Sequence, residues 1–464
     1  MNAILLTAIW GIIMMFGGVF FKSKQTPKYW AIAGLVLIII SNYVELTTGA
    51  SFFDIDTKFM LSFNSFNLTF ITIALVSTLL YFLLSGSDIE KVGDNVSEYF
   101  ALIFFVLCGV CLSATYNTLL ILFLGIEIMS IPLYILTGSD KRNLKSNEAA
   151  LKYFLMGAFA SGILLFGITL IYGVCNSFDL AVIAEYVNSS EQTPSLFNTG
   201  ILLVLCGLCF KLGAVPFHFW SPDVYQGAPT LITAFMATVV KTAAIASFYK
   251  LFDSCFSGVD GLWYPVLWAV AVLSILLGNI SAVMQNEAKR MLAWSGVAHA
   301  GYLLLPMAAL NELSAPAIFY YSCAYAIASI TAFAVLIALS GSQNELPIDQ
   351  FKGLAKNNPL LTTALVVSMF SLAGIPPLAG FFGKYMAFLT AFNSNLIVAV
   401  LLAIVGSLIG VYFYFRPVVY AFNNEGQIPE RIEANVAFNI VVFTGIFLSL
   451  FIAIFQDVLS ALPG

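Results

Sequence analysis

Three lysines and one glutamate stand inside stretches that otherwise hold almost no ionisable side chain: Glu127 in Leu-Gly-Ile-Glu-Ile-Met-Ser-Ile-Pro, Lys211 in Phe-Lys-Leu-Gly-Ala-Val-Pro, Lys241 in Val-Val-Lys-Thr-Ala-Ala, and Lys384 in Gly-Phe-Phe-Gly-Lys-Tyr-Met. Desolvation disfavours a buried ammonium and an approaching carboxylate favours it again, so a lysine whose acidic partner comes and goes can take up and release a proton. These residue types therefore point to proton transfer. Glu127 is expected to pair with Lys211 and gate it, while Lys241 and Lys384 pass the proton on. The bland alternative is a set of paired structural charges, or side chains reaching for the membrane interface. Lys241 is too far from either end of its run for the latter. A charge at mid-membrane costs about 2.5–3.5 kcal/mol even on the lenient insertion scale. Four cost on the order of 10 kcal/mol, as much as the net stability of a typical domain, and a cost of that size argues for use.

The sequence has two histidines. His299, in Ser-Gly-Val-Ala-His-Ala-Gly-Tyr, is an expected relay, since imidazole is the side chain that changes charge near neutrality. His218, two residues after Pro216, is expected instead to cap a backbone group that the proline frees.

Positioning these groups is the work of membrane-spanning helices. Of 464 residues 60% are hydrophobic and 9% charged, against about 45–50% and 25% in soluble domains, which excludes a water-soluble globular protein. Runs of about 20 apolar residues, the length that crosses a bilayer, number fourteen: 3–21, 29–47, 66–84, 99–115, 117–138, 149–174, 199–219, 229–250, 262–284, 291–310, 315–340, 360–391, 394–415 and 434–460. The first has no basic leader and reads as a retained span. Numbering the connections alternately puts Lys22, Lys24, Lys28, Lys91, Lys141, Arg142, Lys145, Lys152, Lys289, Arg290, Lys352, Lys356, Arg416 and Arg431 on one side. Only Lys58 and Lys250 fall on the other, and Lys211, Lys241 and Lys384 remain within spans. The fourteen-to-two ratio makes the first side cytoplasmic and places both termini outside.

Prolines interrupt the seventh and twelfth spans beside their lysines, at Pro216 and Pro376. Carbonyls freed at membrane depth are tolerated where they are buried in protein or line a wet cavity. The two broken spans are five apart, and an odd offset reverses orientation, so spans 4–8 and 9–13 read as two inverted five-helix repeats. Lys211 and Lys384 are 173 positions apart and Glu127 and His299 are 172, whereas the prolines are 160 apart. The expected organisation is three N-terminal spans (1–98), a first repeat (99–252), a second (261–421) and a C-terminal span (434–464).

Other chemistries lack their residues. No basic stripe could neutralise a run of phosphates, so nucleic acid is excluded as a partner. Cys108-x-x-Cys111 and Cys206-x-x-Cys209 lie in apolar runs with no nearby histidine and read as small hydrophobes, so no metal site is expected. No Gly-x-Gly-x-x-Gly occurs, and Leu378 stands where a P-loop ending at Gly383-Lys384 would need glycine. With no cofactor expected in this chain, the energy that moves protons must arrive from other subunits.

The stretches 124–134, 148–158, 210–230 and 374–384, above all Pro-Asp-Val-Tyr-Gln-Gly-Ala-Pro within the third, resemble the subunit N family, one of the antiporter-like membrane subunits of bacterial NADH-quinone oxidoreductase, respiratory complex I. The resemblance covers essentially the whole chain. It implies an all-α fold of fourteen transmembrane helices with two inverted repeats and broken helices 7 and 12, in a bacterial inner membrane. It further implies that Glu127, Lys211, Lys241 and Lys384 occupy proton-path positions, with His299 a weaker correspondence. The partners it implies are the other membrane-arm subunits and the lipid bilayer, with NAD, FMN, iron–sulfur clusters and quinone held by partner subunits. Subunits of multisubunit cation/proton antiporters and membrane-bound hydrogenases share these features. A stand-alone solute transporter is a different class of reading, and the cost of the buried charges opposes a pure scaffold.

Overall fold

The structure is a computed structural model that describes residues 1–20, 25–53, 55–85, 95–189, 192–340, 346–423, 431–432 and 435–456. Lys22, Lys24 and Lys91 of the charge count lie outside the described residues. Three helices come first, α1 (Asn2–Phe20), α2 (Thr26–Thr48) and α3 (Ser65–Leu84). The next set is α4 (Val96–Thr115), α5 (Leu119–Thr137), α6 (Leu144–Cys175), a short α7 (Leu180–Ser189), α8 (Ser195–Leu212), α9 (Trp220–Gly227), α10 (Thr230–Phe235) and α11 (Lys241–Cys255). Then follow α12 (Asp260–Val283), α13 (Ala288–Ala309), α14 (Ser314–Ser340), α15 (Pro359–Ala373), α16 (Ala379–Asn393), α17 (Ile397–Phe422) and α18 (Val436–Ile454). Among the described residues the rest is loops, a π-helical turn (Met236–Val240), a single α-helical turn (Leu354–Asn357), short 3-10 turns and isolated β-bridges.

Polar residues just outside the apolar runs set where helices begin. Asn64, Thr118 and Asn435 each accept a hydrogen bond from a backbone N–H three residues on, as N-caps do. Among the described residues thirteen helical segments are long and apolar enough to cross a membrane. The twelfth expected run is divided between α15 and α16, neither of which is among the thirteen, and the seventh covers most of α8, which is, and the break that precedes α9. The chain is a multi-pass membrane protein. Sequence reading missed the short α7, and it began α6 five residues late.

Helix pairs α4–α5 and α12–α13 cross at glycine. A Cβ on Gly109 would lie 2.4 Å from the Met129 nitrogen, and one on Gly278 would lie 2.6 Å from that of Ala298. Small residues let backbones approach this closely where no hydrophobic effect drives helices together. Both members of the second crossing lie 169 residues after those of the first, which gives the repeat register for these helices. That register corrects the 172-residue match: His299 corresponds to Ser130, and Glu127 to Gly296. Each repeat also pairs its next two long helices, α6 with α8 and α14 with α15. The stretch 230–249, α10 and most of α11, is wholly enclosed, packed on α3, α4 and α14, whereas α1, α2, α17 and α18 leave broad apolar faces outward.

Candidate functional site

Both breaks use the same turn. Gly213 (φ 69°) ends α8 and Gly374 (φ 83°) ends α15, each in the left-handed region that glycine enters without strain. The Ala214 N–H donates to Cys209 O and the Ile375 N–H to Phe370 O, both at 3.0 Å. Val215–Pro216 and Pro376–Pro377 are cis peptides. At the first break the Trp220 indole donates to Phe210 O at 3.0 Å, and the Val215 N–H is taken by Ser274 Oγ at 2.8 Å. His218, two residues past the break, has its Nδ1 buried without a partner.

The lysines do not line up in the simple series expected. Lys211, in the last turn of α8, donates to Ser130 Oγ on α5 at 2.7 Å and does not reach Glu127, one turn back on the same helix. Glu127 Oε1 is buried without a hydrogen-bond partner, although its charge acts on Lys211 through space. The expected direct pair is not formed: the Ser130 hydroxyl takes the Lys211 ammonium instead, accepting from it and donating to Ile126 O at 2.5 Å.

Lys241, 2% exposed, opens α11 immediately after a π-helical turn at Met236–Val240. Wider turns of this kind free a carbonyl. Here Ala234 O is held by the Tyr81 hydroxyl at 2.9 Å and by Thr238 Oγ1 at 2.9 Å. The Lys241 ammonium crosses from the first repeat into the second and donates to Gly296 O on α13 at 2.5 Å. A Cβ at 296 would fall 2.7 Å from that nitrogen, so any larger residue there would push the ammonium aside.

One turn on, His299 is 2% exposed and bonded on both ring nitrogens, Nδ1 to the Tyr321 hydroxyl at 2.8 Å and Nε2 to the Tyr414 hydroxyl at 3.0 Å. Tyr414 in turn bonds Ser295 Oγ. The Tyr325 ring lies 4.7 Å from the His299 ring, and its hydroxyl sits beside Gly296. On the other flank Tyr321 packs against Gly383, next to Lys384. Lys384 spans the second break: from α16 it donates to Ala373 O, the last carbonyl of α15, at 2.9 Å and to Ser407 Oγ at 3.1 Å, with its ammonium 4.7 Å from the Tyr302 ring centre. A cation at a helix C-terminus is electrostatically favoured.

The site residues therefore form two groups. Lys241, His299 and Lys384 belong to one cluster knitted by tyrosines, and Lys211 and Glu127 to another. Among the described residues no hydrogen bond joins Lys211 to Lys241. Sequence reasoning missed Ser130, Tyr302, Tyr321, Tyr325 and Tyr414. Only the i,i+4 spacing of Tyr321 and Tyr325 on one helix offered a signal, and it is indistinguishable from ordinary aromatic packing. Glu45, near the end of α2, is 5% exposed and bonded to the Met1 amino group and the Asn2 N–H. Lys289, counted among loop residues, is buried. Lys250, counted on the outer side, is largely enclosed and donates to Tyr116 O at 2.5 Å and Ser62 Oγ at 2.8 Å.

On the surface that carries most of the basic residues, Asp223 of α9 binds Lys152 of α6 at 2.9 Å and Arg290 of α13 at 2.7 Å. Partial burial pushes the Asp223 carboxyl up, but the hydrogen bonds from Lys152 and Arg290 outweigh it and hold the group below the usual carboxylate range. Among the described residues no cluster of three or more metal-ligating side chains occurs, and all seven cysteines are free thiols.

Comparison with known proteins matches residues 117–410 to the family described as "NADH:quinone oxidoreductase/Mrp antiporter, TM". The chain is 40% identical to the NADH-quinone oxidoreductase subunit N of Cytophaga hutchinsonii, over 92% of this chain and 91% of that one. It is 36% identical to the protein of the same name from Flavobacterium psychrophilum over the full length of both. A chain in the structure titled "Respiratory complex I from Thermus thermophilus with bound Aureothin" superposes with a TM-score of 0.85 at 32% identity, covering 99% of each chain.

Proposed function

Since this chain belongs to the NADH:quinone oxidoreductase/Mrp antiporter family, we propose that it is a proton-translocating membrane subunit of a NADH:quinone oxidoreductase, in which quinone reduction elsewhere in the complex drives proton transfer through its buried Lys, His and Glu side chains. The observation that carries the reading is the polar cluster in the second repeat, where Lys241 bonds Gly296 O, His299 is held between Tyr321 and Tyr414, and Tyr321 packs against Gly383 beside Lys384, in a place where an apolar core would cost less. An imidazole held between two hydroxyls can accept a proton at one nitrogen while surrendering one at the other. The lysines at either end supply groups that hold a proton or give it up.

Glu127 and Lys211 form the first station. The Glu127 carboxylate, half-buried and with its Oε1 unpaired, is the charge whose movement toward or away from Lys211 changes how tightly that lysine holds its proton. NAD, FMN, iron–sulfur clusters and quinone belong to partner subunits, and the other membrane-arm subunits are the neighbours against which the outward apolar faces pack. The protein resides in a bacterial inner membrane, with the Lys152, Asp223 and Arg290 surface in the cytoplasm and both termini on the far side.

The test is NADH-driven proton uptake by membrane vesicles carrying Lys241→Met, with NADH–ferricyanide reduction reporting how much complex is assembled. The expected result is at least a tenfold loss of proton uptake per assembled complex, in line with the removal of a proton-transfer group. Undiminished pumping overturns the reading.

A further inference from the structure

A fourth lysine is buried as completely as the three discussed above. Lys289, the second residue of α13, is 1% exposed. Its ammonium has three donors, and the hydrogen bond it makes is to Ala228 O, the carbonyl just past α9, at 3.0 Å. Its neighbour Arg290 turns the other way, out to Asp223 and Gln226 on the surface. Consecutive residues at the start of one helix thus send one cation to solvent and one inward.

The inward one shares a stripe of α13 with the machinery already described. Gly296, which receives the Lys241 ammonium, is seven residues on, and His299 ten. At 1.5 Å per residue these lie about 10 and 15 Å along the axis, Gly296 on nearly the same face and His299 about 80° round the helix. Leu292 and Ala293 fill the stripe between them. On the flank toward the first break, Trp294 Nε1 and His218 Nδ1 are buried without partners, with their rings 5.2 Å apart. Enclosed polar atoms left open in this way are where internal water finds partners. The charged groups that act on Lys289 are Glu287, whose carboxylate is occupied by the Arg290 and Leu346 N–H groups, and Lys145 of α6.

Resting on the function proposed above, we propose that Lys289 is the loading residue for Lys241: its ammonium releases a proton through transient water to the neutral Lys241 amine, and the Lys289 amine is then reprotonated from the surface that carries Asp223 and Arg290. One N–H bond breaks and one forms at each transfer, with no redox partner. The competing role is a fixed cation that caps the carbonyl end of α9.

The two roles separate by substitution in the assembled complex. Arginine keeps the charge and the hydrogen bond but does not give up its proton, whereas histidine can. Loading predicts that Lys289→Arg and Lys289→Met lose NADH-driven proton uptake about equally, five- to tenfold per assembled complex, while Lys289→His retains half or more. Wild-type pumping in Lys289→Arg or Lys289→Met overturns the proposal. So does failure of all three variants to assemble, since that makes the lysine structural. Where only the methionine variant fails to assemble, the arginine and histidine pair decides. Lys241→Met is run alongside: if it pumps normally the underlying reading fails, whereas its loss together with a normal Lys289→Arg rejects this inference alone.

Discussion

The two helix breaks share a backbone and differ in where they put their lysine. After Gly213 and after Gly374 the chain makes the same left-handed turn with the same pair of closing hydrogen bonds. At the first break the lysine precedes the turn and reaches sideways to a hydroxyl, with an unpaired carboxylate near by. At the second it follows the turn and reaches back to the carbonyl that the break exposes, with Ser407 and a tyrosine ring completing its surroundings. The short helix after the first break has no lysine and places Asp223 on the surface instead. The turn, which needs only glycine and proline, is thus common to both breaks, while the lysine stands on a different side of it in each. On the function proposed above, the first break is a gated station and the second belongs to the chain of polar groups around His299.

That contrast makes the largest prediction a comparison of lysines. Lys384→Met removes one end of the tyrosine–histidine cluster and leaves Ala373 O and Ser407 without their cation, so proton uptake per assembled complex is expected to fall more than tenfold. Lys211→Met and Glu127→Gln are each expected to lose several-fold. Because the two work as one station, the double variant should lose no more than the worse single. If the losses multiply, the two residues act separately and the distinction between a gated station and the chain of polar groups around His299 fails.

A smaller effect separates the turns themselves. Gly380, in the first turn of α16, has its Cβ direction blocked by Ser371 O at 1.8 Å, which no rotamer can relieve because the obstacle is backbone. Gly380→Ala must shift α16 and with it Lys384, at or above the upper end of the about 1–3 kcal/mol typical of overpacking. Gly213→Ala meets Ser221 Cβ at 3.5 Å, an ordinary contact, and bears mainly the left-handed backbone cost of about 1–2 kcal/mol. The midpoint of thermal inactivation should fall further for Gly380→Ala. Equal midpoints would mean that the second break is as yielding as the first.

Legibility followed the same division. Spans and breaks could be read from sequence because apolar length and Gly-x-x-Pro chemistry are local. The acceptors could not, because Gly296 O and Ala373 O are backbone atoms and Ser130 is one serine among many. The tyrosines around His299 look like the packing residues that surround any membrane helix core. The π turn before Lys241 falls in Met-Ala-Thr-Val-Val, whose composition does not distinguish it from regular helix; its visible cause is tertiary, the Tyr81 hydroxyl that occupies Ala234 O. Repeat register was misread for a related reason. Loops of different length between helices give the helix crossing an offset of 169 and the break 161, so no single spacing of charged residues could be right for both.

The smallest effect concerns how the repeats are tied together. Asp223 links α9 and α6 of the first repeat to α13 of the second, whereas α16, its counterpart after the second break, carries the buried Lys384. An unfolded aspartate titrates near pH 3.9. In the folded protein the Asp223 carboxyl lies lower, since the bonds from Lys152 and Arg290 outweigh its partial burial. The stability it contributes is therefore fully present above about pH 4 and is lost as pH falls through the folded value. All three side chains are about a third exposed or more, so solvent screening keeps the contribution near the about 0.2–1 kcal/mol of exposed pairs. Asp223→Asn should accordingly lower the thermal midpoint slightly at pH 7, and the gap from wild type should close as pH is brought down to 3. Added salt should narrow the gap at pH 7, because exposed pairs are screened. If the gap persists unchanged at pH 3, the aspartate acts by packing or by geometry, and the tie between the repeats is not electrostatic.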